Sequence, residues 1–131
     1  MGRKPKSHSK LIQEMQEVFN LYIRTRDKGL PCISCGAPYP TDAGHMFKKS
    51  IRPAMRFDPR ACHLQCRKCN GQHDGNYENY CKGVADRYGV EFLTEVIQDA
   101  NNSRKVDSKL SRGELEDMIL FYKKCIKDLH N

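Results

Sequence analysis

Residues 32–76 read CISCGAPYPTDAGHMFKKSIRPAMRFDPRACHLQCRKCNGQHDGN, and two cysteine pairs within this stretch decide the fold. Cys32 and Cys35 form one Cys-x-x-Cys knuckle, Cys66 and Cys69 form a second, and thirty residues lie between the two pairs. Four thiolates arranged in this way give the tetrahedral sulfur coordination that suits Zn²⁺. The sequence therefore predicts a structural zinc site with these four cysteines as ligands.

The insert between the knuckles carries residues suited to phosphodiester hydrolysis. That reaction needs a base for the water, a cation at the scissile phosphate and donors for the flanking phosphates. His45 is the candidate base, while Asp42 and Asn70 supply a carboxylate and an amide oxygen for a catalytic Mg²⁺ or Mn²⁺. Each has a blander alternative: Asp42 as a turn residue, His45 as a packed histidine, and Asn70 as a helix N-cap. His63 is a candidate for orienting a phosphate or the base, with an incidental strand residue as the equal alternative.

The charge of the chain is unevenly distributed. Residues 1–60 hold twelve Lys and Arg against five Asp and Glu, whereas residues 61–131 hold eleven of each, so the net +7 belongs to the first part. A basic half points to a polyanionic partner, most simply nucleic acid, although solubility alone is an alternative reason for excess charge. The loop at 47–60 contributes the candidate DNA-phosphate contacts, which are Lys48, Lys49, Arg52, Arg56 and Arg60.

The cysteine count and the hydropathy pattern indicate a cytoplasmic protein. Seven cysteines is an odd number, and no apolar signal segment opens the chain, so a reduced compartment fits better than a disulfide framework. No apolar run approaches the eighteen or so residues that a membrane span needs. We expect a soluble protein of the cytoplasm, or of the host cytoplasm if a phage encodes it.

The hydrophobic pattern places helices on both sides of the zinc stretch. Residues 1–8 are predicted to be a disordered basic arm, and 9–131 one domain: a helix over 9–29 capped by Ser9, the zinc core over 30–76, and C-terminal helices over 77–131. The core should end in a helix that starts near Asn70 and breaks at Gly75. A capping box at Ser111 should open the last helix. Apolar stripes over 11–23 and 115–129 are either core or the seams of a homodimer.

The stretches that carry a family resemblance are 31–36, 42–45, 56–58, His63, 65–66, 69–70, 75–76, Tyr80 and parts of 19–27. In these stretches the chain resembles the bacteriophage NinG/Rap recombination-protein family, and the resemblance fades after about Gly89. The residues Cys66 to Asn70 also resemble endonuclease VII-type junction resolvases. These resemblances imply an α+β fold with a small HNH, or ββα-metal, core. They also imply cleavage of branched DNA such as Holliday junctions, with Asn70 and Asp42 binding the catalytic metal and His45 acting as the base.

Two positions depart from the HNH pattern. Ala61 stands where that pattern commonly has an Asn that orients the base, and Ala43 and Gly44 separate Asp42 from His45. The sequence thus favours a metal-dependent endonuclease of branched DNA, with a non-catalytic zinc module for DNA binding or recombination as its rival. A homodimer is the expected acting form, because resolving a junction takes two cuts.

Overall fold

The structure, a computed structural model, describes residues 4–72 and 76–131, and this part of the chain forms five helices and a two-stranded sheet. The predicted break at Gly75 and the first residues of the predicted arm lie outside the described residues. The mixed, helix-rich architecture with a small sheet agrees with the α+β prediction. In chain order the elements are α1 (His8–Arg26), β1 (Asp42–His45), β2 (Cys62–Gln65), α2 (Arg67–Gly71), α3 (Tyr77–Tyr88), α4 (Val90–Asn102) and α5 (Arg112–His130), with single 3₁₀ turns at Pro53–Met55, Pro59–Ala61 and Lys105–Ser108.

Helix α1 begins earlier than predicted. Its N-cap is Ser7, whose side chain accepts a hydrogen bond from the Lys10 backbone N–H at 3.2 Å, so Ser9 lies inside the helix. Ser7 and Ser9 both precede the apolar stripe. The N-cap is the one with extended backbone, which is Ser7, and the spacing of apolar residues does not show which serine that is. Lys6 forms an ion pair with Glu14. The helix thus includes His8, the last residue of the predicted arm, and the disorder predicted for the residues before it stays a prediction.

The two apolar stripes pack against each other. Leu11, Met15, Phe19 and Ile23 of α1 are buried in one cluster with Leu115, Ile119 and Tyr122 of α5. The capping box of Ser111 and Glu114 that opens α5 is confirmed. Two helices from one chain thus cover each other's apolar face, and burial of these faces is the largest favourable term available to them. The stripes are core, and the prediction that they serve as dimer seams is wrong.

The sheet pairs β1 with β2 in antiparallel register. Asp42 lies opposite Gln65, Gly44 opposite His63, and His45 opposite Cys62. Directly paired residues of an antiparallel sheet project from the same face, and successive residues alternate between faces. His45 and His63 therefore lie on opposite faces.

Gly44 fits this sheet because it has no side chain. A Cβ at this position would lie 2.0 Å from Gln65 Oε1, and the Tyr80 hydroxyl of α3 donates to the Gly44 carbonyl at 2.6 Å. The Asp-Ala-Gly-His segment is thereby pressed between β2 and α3. The consequence is that Asp42 and His45 are held on a short strand with little room to move.

A second cluster attaches α3 and α4 to the first knuckle. Ile33, Met46, Tyr80 and Val84 are buried together with Val96 and Ala100 of α4. Gly83 permits the closest approach, because a Cβ there would lie 1.7 Å from the Ile33 carbonyl oxygen. None of the helices in the described ranges has an apolar stretch long enough to cross a membrane.

Candidate functional site

The four knuckle cysteines meet at one point beside the sheet. Their sulfur atoms all lie within 4.8 Å of one another, and Cys35 Sγ is 3.8 Å from Cys66 Sγ. Zinc–sulfur bonds of about 2.3 Å in a tetrahedron require sulfur–sulfur edges of about 3.8 Å. The four cysteines could therefore hold a structural metal such as zinc, and the donor set that the sequence predicts is the one that the fold assembles.

Backbone N–H groups surround these sulfurs. Cys32 Sγ accepts a hydrogen bond from the Cys66 N–H at 3.2 Å, and Cys66 Sγ accepts from the Cys69 N–H at 3.4 Å. Burial raises the pKa of the Cys32 thiol, but the N–H donors of Cys66, Cys35 and Ser34 outweigh it and lower that pKa to about 7. Such donors favour the thiolate, which is the form that binds a metal.

Asp42 and Asn70 come together across the cleft edge. Asn70 Nδ2 donates to Asp42 Oδ2 at 3.2 Å, and the Thr41 hydroxyl donates to Asp42 Oδ1 at 2.9 Å. Asn70 lies inside α2, whose N-cap is Cys66, so the alternative that Asn70 is the N-cap is wrong. An amide and a carboxylate from two different elements are thus neighbours, and both kinds of oxygen suit a hard divalent cation.

The His45 ring is held by a backbone carbonyl. Its Nε2 lies 2.8 Å from the Arg56 carbonyl oxygen, which can only accept a hydrogen bond, so Nε2 carries the proton and Nδ1 keeps its lone pair. No other hydrogen bond joins this ring to residues 4–72 or 76–131, although Phe19 packs beside it with ring centroids 6.2 Å apart. Burial lowers the pKa of His45, and the charges of Arg56 and Lys49 lower it further. The ring is therefore neutral at pH 7.

One cleft of about 680 Å³ brings His45 and Asn70 together with Lys48 and Lys49. Asp42 does not line this cleft. It projects from the same face of the sheet as His63 and is linked to the cleft only through its hydrogen bond to Asn70. Both lysines are exposed. Cations at the rim and a neutral imidazole within form a combination suited to a phosphodiester.

Helix α1 contributes two cleft residues that the sequence analysis does not single out. Gln16 and Asn20 line the cleft, and Gln16 Nε2 donates to Asn20 Oδ1 at 2.7 Å. Arg56 Nε in turn donates to Gln16 Oε1 at 2.7 Å, which fixes the loop that presents the Arg56 carbonyl to His45. The available signal was their spacing, because residues four apart share a helical face.

The basic residues of the 47–60 loop differ in how their charges are used. Arg56 lies over the Phe57 ring, with 5.1 Å from its guanidinium carbon to the ring centroid, and Arg52 donates to Asn101 Oδ1 at 3.3 Å. The prediction that Arg60 contacts DNA phosphates is corrected by the structure. Its guanidinium pairs with Asp58 at 2.7 Å and Asp99 at 2.8 Å, and these carboxylates raise its pKa. A guanidinium neutralised within the protein is not a ready phosphate contact.

His63 does not reach the cleft, so the expectation that it orients a phosphate or the base is wrong. Its ring is 2% exposed, its Nε2 donates to the Arg60 carbonyl at 2.9 Å, and Arg26 Nη2 donates to its Nδ1 at 3.1 Å. Arg26 also chelates Asp27, and Asp27 Oδ2 accepts from the Leu64 N–H at 3.2 Å. These side chains form a buried cluster, the Arg26–Asp27–His63 cluster, that ties the end of α1 to β2.

Ala61 contributes no side chain to the cleft. It is 1% exposed, and its carbonyl accepts from the Met46 N–H at 2.9 Å, which closes the base of the 46–61 loop. Within the described residues, the orientation of the His45 ring comes from the Arg56 carbonyl instead.

Comparison with known proteins gives one family. Residues 2–131 match the family model described as "Bacteriophage Lambda NinG protein". The chain is similar to "Protein ninG" of Escherichia phage 933W (35% identical over 133 residues, 100% of this chain and 63% of that protein), of Salmonella phage P22 (34%, 100% and 62%) and of Escherichia phage lambda (35%, 100% and 62%). The chain thus spans less than two thirds of these curated relatives. No solved structure matches it.

Proposed function

We propose that this chain, which belongs to the NinG family of bacteriophage proteins, is a metal-dependent endonuclease that cleaves branched DNA such as Holliday junctions. The observation that carries the proposal is the cleft. It is lined by a neutral histidine with an unpartnered Nδ1, by Asn70 and by two exposed lysines, and Asn70 is hydrogen-bonded to the carboxylate of Asp42 at its edge. Base, metal donors and phosphate contacts are the three requirements of phosphodiester hydrolysis.

His45 would act as the general base. Its Nδ1 takes a proton from the attacking water, while its Nε2–H stays on the Arg56 carbonyl and so stabilises the imidazolium that forms. The Gln16–Arg56 hydrogen bond and the Phe19 ring keep the imidazole from turning. The Arg56 carbonyl thereby does the work that an Asn at position 61 would otherwise do.

Asp42 and Asn70 would hold the divalent cation, Mg²⁺ or Mn²⁺, that supplies charge stabilisation at the scissile phosphate and the departing 3′ oxygen. Thr41 keeps the carboxylate in place through its hydroxyl. The four cysteines would hold Zn²⁺, and because Asn70 directly follows Cys69, the zinc site sets the position of Asn70 opposite β1. The zinc would shape the site without entering the reaction.

Lys48 and Lys49 would bind the phosphates that flank the cut. Both are exposed and line the cleft. Such contacts give affinity without sequence preference, which suits an enzyme that acts on the shape of DNA.

A homodimer remains part of the proposal. Resolving a four-way junction takes two cuts, and the described residues hold a single candidate site. Its interface must differ from the buried stripes of α1 and α5. The exposed Leu120 on the outer side of α5, which lies outside both stripes, is the available alternative.

A non-catalytic zinc module for DNA binding is the second candidate. The buried methyl group of Ala61, in place of an orienting amide, is the observation that favours it. Such a module would keep the lysines and the zinc but would not need the neutral histidine.

The test is incubation of zinc-loaded protein with labelled four-way junction and with linear duplex, in Mg²⁺ or Mn²⁺ and in EDTA, with zinc content measured in each sample. We expect paired nicks in the junction with metal and none in EDTA. Activity should be lost in His45→Ala and retained in His130→Ala, a matched change at the far end of α5. Tight junction binding without cleavage in either metal would overturn the endonuclease proposal and support a non-catalytic zinc module.

A further inference from the structure

Tyr39 is an exposed aromatic residue in a strained backbone conformation. Its side chain is 92% exposed and its φ is +56°, in the left-handed region that residues other than Gly, Asn and Asp rarely adopt. Its ring makes no ring contact or hydrogen bond within the described ranges. An exposed ring that does nothing for the fold, held at a conformational cost, indicates a contact outside the molecule.

The backbone around Tyr39 is restricted. Pro38 and Pro40 limit the backbone on both sides of it, and the first knuckle and β1 anchor the two ends of the segment. A backbone that is already restricted loses less conformational entropy when its side chain binds a partner.

The surface beside Tyr39 combines apolar and cationic groups. A shallow groove there is lined by Pro38, Pro40 and Leu64 together with Arg24 and Lys28 from the end of α1. Both cations are exposed, and neither forms an ion pair with any of the described residues. A flat ring next to two such cations matches a nucleotide, which offers a base for stacking and a phosphate for charge pairing.

The position of Tyr39 relative to the cleft limits which base it meets. Tyr39 stands three positions before Asp42, and three Cα–Cα steps span at most about 11 Å. One DNA strand advances about 3.4 Å per nucleotide, so a base at Tyr39 would lie within roughly three nucleotides of a metal bound at Asp42. Within an intact duplex every base face is covered by its neighbours, whereas a branch point leaves a base face exposed.

We infer that Tyr39 stacks on an unpaired or end-exposed base at the branch point of the DNA, with Arg24 and Lys28 on the adjoining phosphates, and so selects branched over linear DNA. The inference rests on the proposed branched-DNA substrate. It assigns the choice of substrate to a residue outside the catalytic cleft.

The test measures binding in the absence of Mg²⁺ and Mn²⁺, so it does not depend on cleavage. Zinc-loaded protein is titrated onto a four-way junction with 2-aminopurine at the branch point, and onto linear duplex with the same label inside. Tyr39→Gly removes the ring and relieves the backbone strain, Tyr39→Phe keeps a ring, and Phe121→Ala removes an exposed ring on α5 as the matched control.

We expect Tyr39→Gly to lose about 5- to 140-fold in junction affinity, which is the value of stacking one base at about 1.4 kcal/mol per tenfold. Duplex affinity should stay unchanged, and the melting temperature should be equal to or above that of the parent. Tyr39→Phe and Phe121→Ala should bind as the parent does, and fluorescence at the branch should be quenched only when position 39 carries a ring.

Equal losses on junction and duplex, unchanged junction affinity, or a lowered melting temperature for Tyr39→Gly would each overturn the inference. Failure of the endonuclease proposal has a different signature, because a protein that never cleaves can still show ring-dependent quenching at the branch. Conversely, if the protein cleaves the junction but its affinity does not depend on residue 39, the endonuclease proposal stands and the stacking role of Tyr39 is wrong.

Discussion

The two faces of the small sheet each present a histidine, and the two are used differently. On one face His63 is buried with both ring nitrogens bonded to protein groups, in a cluster with Arg26 and Asp27. On the other face His45 has one nitrogen on the Arg56 carbonyl and the other without a partner in the described chain, beside a cleft lined by lysines. The residue type is the same, and only the second arrangement leaves a lone pair available for chemistry.

A histidine can serve as a base only where the protein leaves one ring nitrogen without a partner, and in the described residues this holds for His45 and not for His63. His63 lies one position beyond the residue paired with His45, so distance along the sheet does not distinguish them. The alternation of side chains between faces does. In the proposed function, the face that carries His63, the sealed face, would contribute to stability, and the face that carries His45, the open face, would contribute to reactivity. Each face can be changed alone.

The largest effect should come from Cys66→Ser, which disrupts both faces together. Binding of structural zinc in comparable small sites is worth on the order of 10 kcal/mol at neutral pH, similar to the whole stability of a domain, about 5–15 kcal/mol. Because Cys66 directly follows β2, we expect loss of zinc, of the cooperative thermal transition and of cleavage. Elemental analysis and circular dichroism on heating check this.

The matched control is Cys125→Ser on α5, which should keep one zinc per chain and a normal transition. If Cys66→Ser also kept its zinc and its melting temperature, the four-cysteine site would not be the staple of this fold.

His45→Ala and His63→Ala should separate the two faces. His45→Ala removes the base and should lower the cleavage rate by about 10²- to 10⁴-fold, with little change in junction affinity. His63→Ala removes the hydrogen-bond partner of the Arg60 carbonyl and one of the partners of Arg26, and it leaves a buried cavity, which together should cost about 2–4 kcal/mol of unfolding free energy. Cleavage per folded molecule should then change little.

The measurements are single-turnover cleavage and urea unfolding of both variants. A His45→Ala protein that cleaves at the parental rate would show that the unpartnered nitrogen is not the base. A His63→Ala protein that is fully stable but inactive would reverse the roles assigned to the two faces.

The parts of the molecule that depend on local sequence could be predicted. The stripes of α1 and α5, the capping box at Ser111 and the four converging cysteines follow from spacing within one segment, and the family resemblance to NinG is confirmed. The approach of Asn70 to Asp42 follows in the same way, because a zinc site would hold α2 beside β1. The cap at Ser7 differs by two residues from the predicted one, since two serines precede the same stripe.

The roles of His63 and Arg60 could not be predicted in full, because some of their partners are far away in the sequence. Asp27 lies 36 residues from His63, and Asp99 lies 39 residues from Arg60. Asp58, the other partner of Arg60, is only two residues away, but sequence spacing does not show that its carboxylate turns toward Arg60. The support of His45 is hidden for another reason, since a backbone carbonyl leaves no trace in residue identity. Pairings across the fold decide which charges and lone pairs remain available.

Asp27→Asn tests the sealed face alone. The change leaves the Arg26 cation with no counter-charge, and breaking a buried ion pair from one side costs roughly 3–5 kcal/mol. Since Arg26 keeps 23% of its side chain exposed, we expect the lower end of this range. The pKa of Asp27 lies well below its ordinary value, so the ion pair stabilises the fold at neutral pH and is lost only as the pH falls below that ordinary value.

Urea unfolding of Asp27→Asn and of the parent at pH 7 and pH 3 measures this difference. The stability gap should be full at pH 7 and narrower at pH 3, and cleavage per folded molecule should stay at the parental level. If the difference in unfolding free energy instead grew as the pH fell, the Asp27 carboxylate would not be the group that stabilises the Arg26 cation.

Replacing both Lys48 and Lys49 with Ala tests DNA binding at the cleft and leaves the His45 side chain in place. Each phosphate contact contributes about 0.9 to the slope of log affinity against log salt, so the double change should flatten that slope by about two. The loss should be equal for all DNA sequences, because phosphate contacts carry no base information. The double change of Lys124 and Lys127 on α5 is the control, and a flattening there as well would place the DNA on a different surface.

The smallest expected effect is on the pH below which His45 becomes protonated and the cleavage rate falls. A base acts in its deprotonated form, and burial together with the charges of Arg56 and Lys49 lowers the pKa of His45 below the ordinary value of about 6.5. Single-turnover cleavage should therefore be flat between pH 7 and 8 and should fall only as the pH drops through that lowered value. Lys49→Ala removes one of the charges that disfavour the imidazolium, so its inflection should move upward. His63 projects from the opposite face of the sheet and is hydrogen-bonded to Arg26, so Lys49→Ala should leave its surroundings unchanged. An inflection that stays in place in Lys49→Ala, or one above pH 7 in the parent, would mean that a group other than His45 titrates in the reaction.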